Sequence, residues 1–251
     1  MLVYFDESYA SKAKLMLGAL FIPSNSDKKW LHNSFKELKI KHNFITKDNK
    51  LKEIKYNSIT TLKKLKIAQE TIDLFFNSSD CYFRGCVIPY SEDQLDKIGR
   101  QQGIPRKIKE AMLYTHSTVR LIQNNIPGVK NGVLLMDEIT RATGDRFNEM
   151  VRAKLGSNQN SIFKHIGYVK SSEERNHTIK ICDLLLGSVL NEYYPCANGS
   201  YKNEFREYVK HKFKIPSLKE NYWKTLTKAQ ADEKHSKFNI RCWGVPYKFS
   251  I

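Results

Sequence analysis

The sequence predicts an α/β protein built on a mixed β-sheet, because short apolar segments alternate with longer segments of helical periodicity. Its 251 residues are enough for one large domain, or for a core with an appended subdomain. We expect strands at residues 2–5, 15–22, 81–88, 132–136, 162–169 and 238–243, and helices at 27–42, 59–76, 104–125, 146–155 and 178–193.

The first two strands are predicted as a hairpin, because residues 2–5 and 15–22 are apolar runs separated by a polar stretch. Residues 132–136 form a continuous apolar run after a Pro-Gly turn, which is typical of a strand covered on both faces. The first helix, at 27–42, is indicated by the helical spacing of Trp30, Phe35 and Leu38.

The chain becomes polar, basic and aromatic after residue 194. We therefore expect a core at 1–194, which includes a basic helical segment at about 27–77, and a largely helical appendage at 195–251 that ends in the last strand. Aromatic rings interleave with lysines between residues 193 and 224. This pattern is most often the core of a small helical subdomain, and the alternative is a surface that stacks bases.

The charge balance indicates a polyanionic partner. Lys and Arg number 42 against 26 Asp and Glu, which gives a formal net charge of +16. An excess of this size in a chain that folds indicates either a polyanionic partner, with nucleic acid as the first candidate, or a strong need for solubility. The longest strongly apolar run, at 15–22, is too short for a membrane-spanning helix, and no signal peptide is recognised, so we expect a cytoplasmic protein with no membrane partner.

The cysteine and histidine patterns do not indicate zinc. Five cysteines contain no Cys-x-x-Cys pair, so neither a disulfide framework nor a structural zinc site is expected. The seven histidines show no His-Glu-x-x-His pattern.

Two predicted strands end in acid pairs. Asp6 and Glu7 follow the first strand, and Asp137 and Glu138 follow the strand at 132–136. Because side chains alternate along a strand, each aspartate points away from the glutamate that follows it. We interpret Glu7 and Glu138 as supporting or capping groups.

A third acid, Asp183, lies on an apolar helix face with Ile179, Leu186 and Leu190. An ionised carboxylate there needs a cation. Lys180, three residues earlier, is one candidate partner. In the other interpretation Asp6, Asp137 and Asp183 converge and share two Mg²⁺ or Mn²⁺ ions, the metals that all-oxygen ligands favour, in a two-metal site for phosphodiester cleavage.

Five short motifs occur in an order that resembles the family named domain of unknown function 3800. They are Tyr4-Phe-Asp-Glu-Ser8, Glu53-Ile-Lys-Tyr56, Leu135-Met-Asp-Glu138, Ile179-Lys-Ile-Cys-Asp-Leu-Leu185 and Phe238-Asn-Ile240. The resemblance implies a five-stranded ribonuclease H-like or integrase-like sheet flanked by helices. It also implies a metal-dependent nuclease acting on DNA or RNA, in a bacterial or phage-defence setting. An activating protein partner is left open.

Carried over by position, the resemblance implies that Asp6, Asp137 and Asp183 are catalytic metal ligands and that Glu53 is the fourth catalytic acid. The alternative for Glu53 is a solvated glutamate in a lysine-rich loop. Lys55 is interpreted as a phosphate contact, with a plain surface lysine as its alternative. Separately, His177, at the start of the helix that carries Asp183, is interpreted as a proton carrier or as a plain helix-start residue.

Lys180 departs from the family pattern, which usually has Gln at this position. The lysine either contacts the substrate phosphate or takes the place of a metal by neutralising Asp183. The second case would give a catalytically silent module that binds nucleic acid or a protein partner.

Overall fold

A single mixed sheet organises the chain. A computed structural model describes residues 1–10, 14–96, 98, 104–126, 131–137, 147–156, 162–170 and 172–243. In these ranges the strands are β1 (Leu2–Ala10), β2 (Lys14–Ile22), β3 (Tyr82–Pro89), β4 (Gly132–Asp137), β5 (Phe163–Val169) and β6 (Phe238–Cys242). Their order in the sheet is β5-β4-β1-β2-β3-β6. This arrangement confirms the predicted α/β class.

The strand directions make the sheet mixed. β2 is antiparallel to both β1 and β3, while β1 and β4, β4 and β5, and β3 and β6 are parallel pairs. The sheet thus contains an antiparallel β1–β2–β3 meander, with β4 and β5 on the far side of β1.

Helices cover both faces of the sheet. They are α1 (Asn25–Lys41), α2 (Leu62–Asn77), α3 (Glu92–Asp96), α4 (Arg106–Gln123), α5 (Phe147–Leu155), α6 (Lys180–Tyr193), α7 (Tyr201–Phe213), α8 (Glu220–Lys224) and α9 (Lys228–Lys234). One apolar core joins the sheet to α1, α2, α6 and α7, and a second joins the opposite face to α4 and α5. Burial of this apolar surface is the main contribution to the stability of the fold.

The strand count corrects the prediction of a five-stranded sheet. The described residues form six strands in the sheet, because Phe238–Cys242, expected within the appendage, pairs in parallel with β3. The ring of Phe238 stacks on that of Phe83 with centroids 5.3 Å apart. A parallel edge partner so far along the chain is a non-local contact that local periodicity does not encode.

The first strand is also longer than predicted. β1 continues to Ala10, so Asp6 lies within the strand, opposite Gly18 of β2, rather than at its end. The apolar run of β2 supplies backbone partners for the polar residues that follow Asp6, and these hydrogen bonds outweigh the local polarity.

Two helix boundaries are set by capping side chains rather than by apolar periodicity. The Ser24 hydroxyl accepts a hydrogen bond from the Asp27 N–H, so α1 begins before the predicted residue 27. The Thr61 hydroxyl accepts from the Lys64 N–H, so α2 begins after the predicted residue 59.

The aromatic residues of the appendage mainly fill the core. Phe205, Phe213 and Trp223 are buried in the apolar core shared with α2 and α6, which confirms the packing interpretation for these rings. Within the described ranges, none of the helices has the length and apolarity that crossing a lipid bilayer requires.

Candidate active site

Asp6 points toward α6. On β1, Leu2 and Tyr4 lie in the core that contains α6, whereas Val3 and Phe5 lie in the core that contains α4. Strand alternation therefore places Asp6 on the α6 face. Asp6 is only 7% exposed.

Glu7 points to the opposite face of the sheet. It accepts a hydrogen bond from the Tyr114 hydroxyl of α4. The structure therefore separates Glu7 from Asp6, while Glu138 lies outside the described residues.

Asp137, the last residue of β4, is brought beside Asp6 by the parallel pairing of β1 and β4. Phe5 pairs with Met136 in this ladder. Leu134 and Met136 belong to the α4-side core, so alternation also turns Asp137 toward α6.

Asp183 is held by a backbone amide from a distant segment. Its Oδ2 atom accepts a hydrogen bond of 2.6 Å from the N–H of Tyr56, which begins a 3-10 turn at Tyr56–Ser58. Tyr56 packs against α6 at Gly187, where an added Cβ would lie 2.0 Å from the tyrosine Cγ. Gly187 thus allows the close approach that positions this amide.

Replacement of Gly187 by Ala is expected to destabilise the protein by about 1–3 kcal/mol, the usual cost of overpacking a core. The added methyl group collides with the buried Tyr56 ring. Gly199→Ala is the control, because its Cβ meets nothing within 4 Å and costs only the strain of a positive φ, about 1 kcal/mol. Urea denaturation measures both changes, and equal losses would contradict the proposed close packing.

Lys180 lies between two other acids. Its Nζ atom is 2.8 Å from Glu53 Oε1 and 3.3 Å from Asp137 Oδ2, and its side chain is 3% exposed. Burial alone would lower the pKa of Lys180, but the contacts with Glu53 and Asp137 outweigh it and raise that pKa. Lys180 is therefore a charged ammonium at neutral pH.

Glu53 is shared by two lysines. Its Oε2 atom is 3.1 Å from Lys55 Nζ, in addition to the contact of Oε1 with Lys180. Burial opposes ionisation of Glu53, yet the two lysines hold its pKa below the usual value. The Lys55 side chain is 49% exposed, so it lies at the solvent edge of the cluster.

For Asp6 and Asp183, unlike Glu53, burial outweighs the effect of nearby cations, and the pKa is raised rather than lowered. Burial, followed by the negative charge of Asp183, raises the pKa of Asp6 well above its ordinary value. Burial also raises the pKa of Asp183, although the Tyr56 amide and Lys180 oppose the rise. Among the described residues, no lysine or arginine nitrogen lies within 4.0 Å of either carboxylate. The surroundings of these two acids therefore disfavour their ionised form.

The carboxylate oxygens of the cluster are suitable ligands for a hard divalent cation, but the described side chains do not converge closely enough to coordinate one. Carboxylate oxygens are the preferred ligands of Mg²⁺ and Mn²⁺. In the part of the chain that the structure describes, no group of three or more His, Cys, Asp or Glu side chains is arranged to hold a metal ion. The pairing of Lys180 with Glu53 and Asp137 accounts for this, because it directs two of the four acids toward an ammonium.

A buried lysine and histidine adjoin this cluster. Lys39 of α1 is fully buried, and its Nζ lies 2.6 Å from Nδ1 of His177. Burial lowers the pKa of Lys39 to about 7, although Glu53 and Glu174 oppose the change. Burial and Lys39 lower the pKa of His177 to about 4, so its ring is neutral at pH 7 and accepts from the lysine.

Lys39 was missed by the sequence analysis, although a signal for it exists. It lies four residues after Phe35 and eight after Leu31, so helical spacing places it on the buried face of α1. Lysines are so common in this segment that the single buried one does not stand out by composition.

The depressed pKa of Lys39 predicts that stability increases with pH. The unfolded lysine titrates near 10.5 and the folded one near 7, so between these values the unfolded chain binds more protons. Its contribution to the free energy of unfolding should rise by up to about 1.4 kcal/mol per pH unit over this interval and be lost as the pH falls through 7.

Urea denaturation at pH 7 and pH 9 checks this prediction. The difference in stability between the wild type and Lys39→Met should change with pH, since the variant lacks the titrating group. Lys36→Met, at an exposed position of the same helix, should follow the wild type. Parallel stability curves for the wild type and Lys39→Met would contradict the assignment.

The sequence matches no protein-family model, and a search of curated proteins gives no match. Solved structures with a similar chain include the PCNA:RNase HII complex from Archaeoglobus fulgidus, at 12% identity and a TM-score of 0.38 over 84% of this chain and 87% of that one. They also include Bst-RNase HIII in complex with Mn²⁺, at 12% identity and a TM-score of 0.32 over 74% of this chain. This chain spans about half of that second one, 54%.

Proposed function

We propose that the protein is a metal-dependent nuclease that hydrolyses phosphodiester bonds of DNA or RNA. The observation that carries the proposal is the pair of buried acids, Asp6 and Asp183, whose pKa values are raised and which lack a direct cationic partner among the described residues. A bound divalent cation would stabilise the ionised form of both carboxylates. The net charge of +16 supports a polyanionic substrate.

The charge of the cluster supports one divalent ion beside Lys180. Among the described residues, the cluster contains four carboxylates, those of Asp6, Glu53, Asp137 and Asp183, and the ammonium groups of Lys55 and Lys180 partly offset their charge. With every group ionised, two negative charges remain. The expectation of two ions from the sequence would require Lys180 to release its partners.

Each residue of the cluster has a role in this proposal. Asp6, Asp137 and Asp183 would hold Mg²⁺ or Mn²⁺, which when bound supplies an activated water and stabilises the departing oxygen. The Tyr56 amide fixes the orientation of Asp183. Lys55, at the solvent edge, would contact the substrate phosphate, whereas Lys180 would first have to leave Glu53 and Asp137.

A second candidate is a module of the same fold that binds nucleic acid or a protein partner without cleaving it. The position of Lys180 favours this candidate, since a buried ammonium already neutralises Glu53 and Asp137. The similarity to the domain of unknown function 3800, the phage-defence setting and an activating partner remain proposals under either candidate.

Thermal unfolding with and without Mn²⁺, together with a cleavage assay, separates the two candidates. A nuclease should be stabilised by Mn²⁺ and should cleave labelled DNA or RNA in its presence but not with EDTA. The silent module should bind oligonucleotides in a salt-sensitive way without cleavage and without a Mn²⁺-dependent shift. The absence of both the shift and cleavage would reject the nuclease.

A further inference from the structure

A basic cleft lies between α2, α7 and α9, apart from the carboxylates. Its volume is about 330 Å³, within the range of small-ligand sites. Its lining includes Phe76, Ser78, Lys212, Lys214, Lys234 and Lys237.

The cleft and the carboxylates lie at opposite ends of the sheet. Phe238, the first residue of β6, lines the cleft, whereas Asp137 is the last residue of β4. β6 is parallel to β3, and the antiparallel steps through β2 make β3 parallel to β1 and β4. The first residue of β6 therefore lies at the edge of the sheet opposite the end of β4.

The walls of the cleft carry uncompensated positive charge. Among the residues that the structure describes, four lysines line it and no acidic residue does. Lys212 is paired with Asp73 at 2.6 Å, and the ammonium of Lys237 donates to the carbonyl and hydroxyl oxygens of Ser78. Among the described residues, Lys214 and Lys234 have no ion-pair partner. The ammonium groups of Lys214 and Lys234, with that of Lys237 beside them, favour binding of a multivalent anion such as phosphate.

One of these lysines has a backbone conformation that glycine adopts more easily. Lys214, which ends α7, has φ 54° and ψ 44° in the left-handed region. A side chain there costs stability that glycine would not. The strained position nevertheless presents an exposed ammonium at the cleft.

An aromatic ring adds apolar surface beside the lysines. Phe76 is 39% exposed, unlike most phenylalanines of the fold, and its ring meets Phe213 at a centroid distance of 5.5 Å. The ammonium of Lys212 lies 4.8 Å from the centroid of the Phe76 ring. Phosphate-binding cations beside an exposed ring suit a ligand that combines a phosphate with a flat base.

We propose that this cleft binds a nucleoside phosphate, either free or at the end of a nucleic-acid strand. The proposal does not depend on the nuclease activity, because no residue of the carboxylate cluster lines the cleft. The lysines hold the phosphate, and Phe76 contacts the base.

Fluorescence anisotropy with a 3′-labelled, 5′-phosphorylated hexanucleotide in EDTA tests the proposal. AMP and inorganic phosphate serve as competitors, which distinguishes a free nucleotide from a strand end. The double variant Lys214→Gly/Lys234→Ala should weaken binding about tenfold or more, the effect of losing a charge-assisted contact. Its melting temperature should not fall, since glycine relieves the strain at position 214.

Matched variants separate the cleft from general surface charge. Lys107→Ala/Lys219→Ala removes two exposed lysines elsewhere and should change binding less than twofold. Phe76→Ala should weaken competition by AMP but not by inorganic phosphate. Because binding is measured in EDTA and no residue of the carboxylate cluster lines the cleft, the proposal can hold even if the nuclease proposal fails.

Two results would overturn the proposal. In the first, both double variants weaken binding equally, which means that only net charge matters. In the second, AMP competes no better than inorganic phosphate and Phe76→Ala has no effect, which means that the cleft does not recognise a nucleoside.

Discussion

Asp6→Asn is expected to lower the rate of Mn²⁺-dependent cleavage by at least about 10³-fold, equivalent to roughly 4 kcal/mol. In the nuclease proposal, this change removes an oxygen ligand of the metal from the most buried acid of the cluster, while the side chain keeps its shape. Cleavage of a labelled oligonucleotide under single-turnover conditions measures the loss. Asp27→Asn, at a buried acid in the first turn of α1, is the matched control and should retain full activity.

The same substitution should stabilise the metal-free protein at alkaline pH. The pKa of Asp6 is raised in the folded state, so its contribution is favourable below the unfolded pKa near 3.8 and is lost as the pH rises through the folded value. Asn carries no charge and avoids this loss. Equal cleavage by Asp6→Asn and the wild type would show that Asp6 is not a metal ligand.

Lys180→Gln is expected to destabilise the metal-free protein by about 3–5 kcal/mol, because it leaves Glu53 and Asp137 partly buried without their shared ammonium. It should also strengthen Mn²⁺ binding, since a competing cation has been removed from the cluster. Urea denaturation with and without Mn²⁺ measures both effects in one titration. The Mn²⁺-dependent gain should be larger in the variant than in the wild type.

Lys55→Gln is the control for this prediction. Its side chain is about half exposed, so the loss of its contact with Glu53 should cost only about 0–1 kcal/mol. If Lys180→Gln is no less stable than Lys55→Gln, the buried ammonium does not hold the acids together. If Mn²⁺ stabilises Lys180→Gln but not the wild type, the silent module is the correct function.

The sequence predicted which face of the sheet each acidic side chain points to better than it predicted the groups that contact those side chains. Strand alternation places Asp6 and Glu7 on opposite faces, and the structure agrees because both neighbouring layers are apolar. The contact between Asp183 and the Tyr56 amide joins segments 127 residues apart, which periodicity does not reveal. Glu53 and Lys180 meet in the same way, through a loop folded over the start of α6.

Lys180 shows why sequence spacing alone was insufficient. The residue lies three positions before Asp183 on a helix, which suggests pairing between them. In the structure its ammonium contacts Glu53 and Asp137 instead. Several acids distant in sequence can pair with the Lys180 ammonium. Which of them does so depends on the packing of β4 and of the loop that carries Glu53, rather than on helical spacing. The last strand was predicted at 238–243 but left out of the five-stranded sheet, for the related reason that its partner β3 is distant in sequence.

The most direct test is a crystal structure of the wild-type protein grown with Mn²⁺ and measured for anomalous scattering. The nuclease proposal predicts an anomalous peak at about 2.0–2.5 Å from carboxylate oxygens of Asp6 and Asp183. No peak at saturating Mn²⁺, with Lys180 still bound to Glu53 and Asp137, would contradict it.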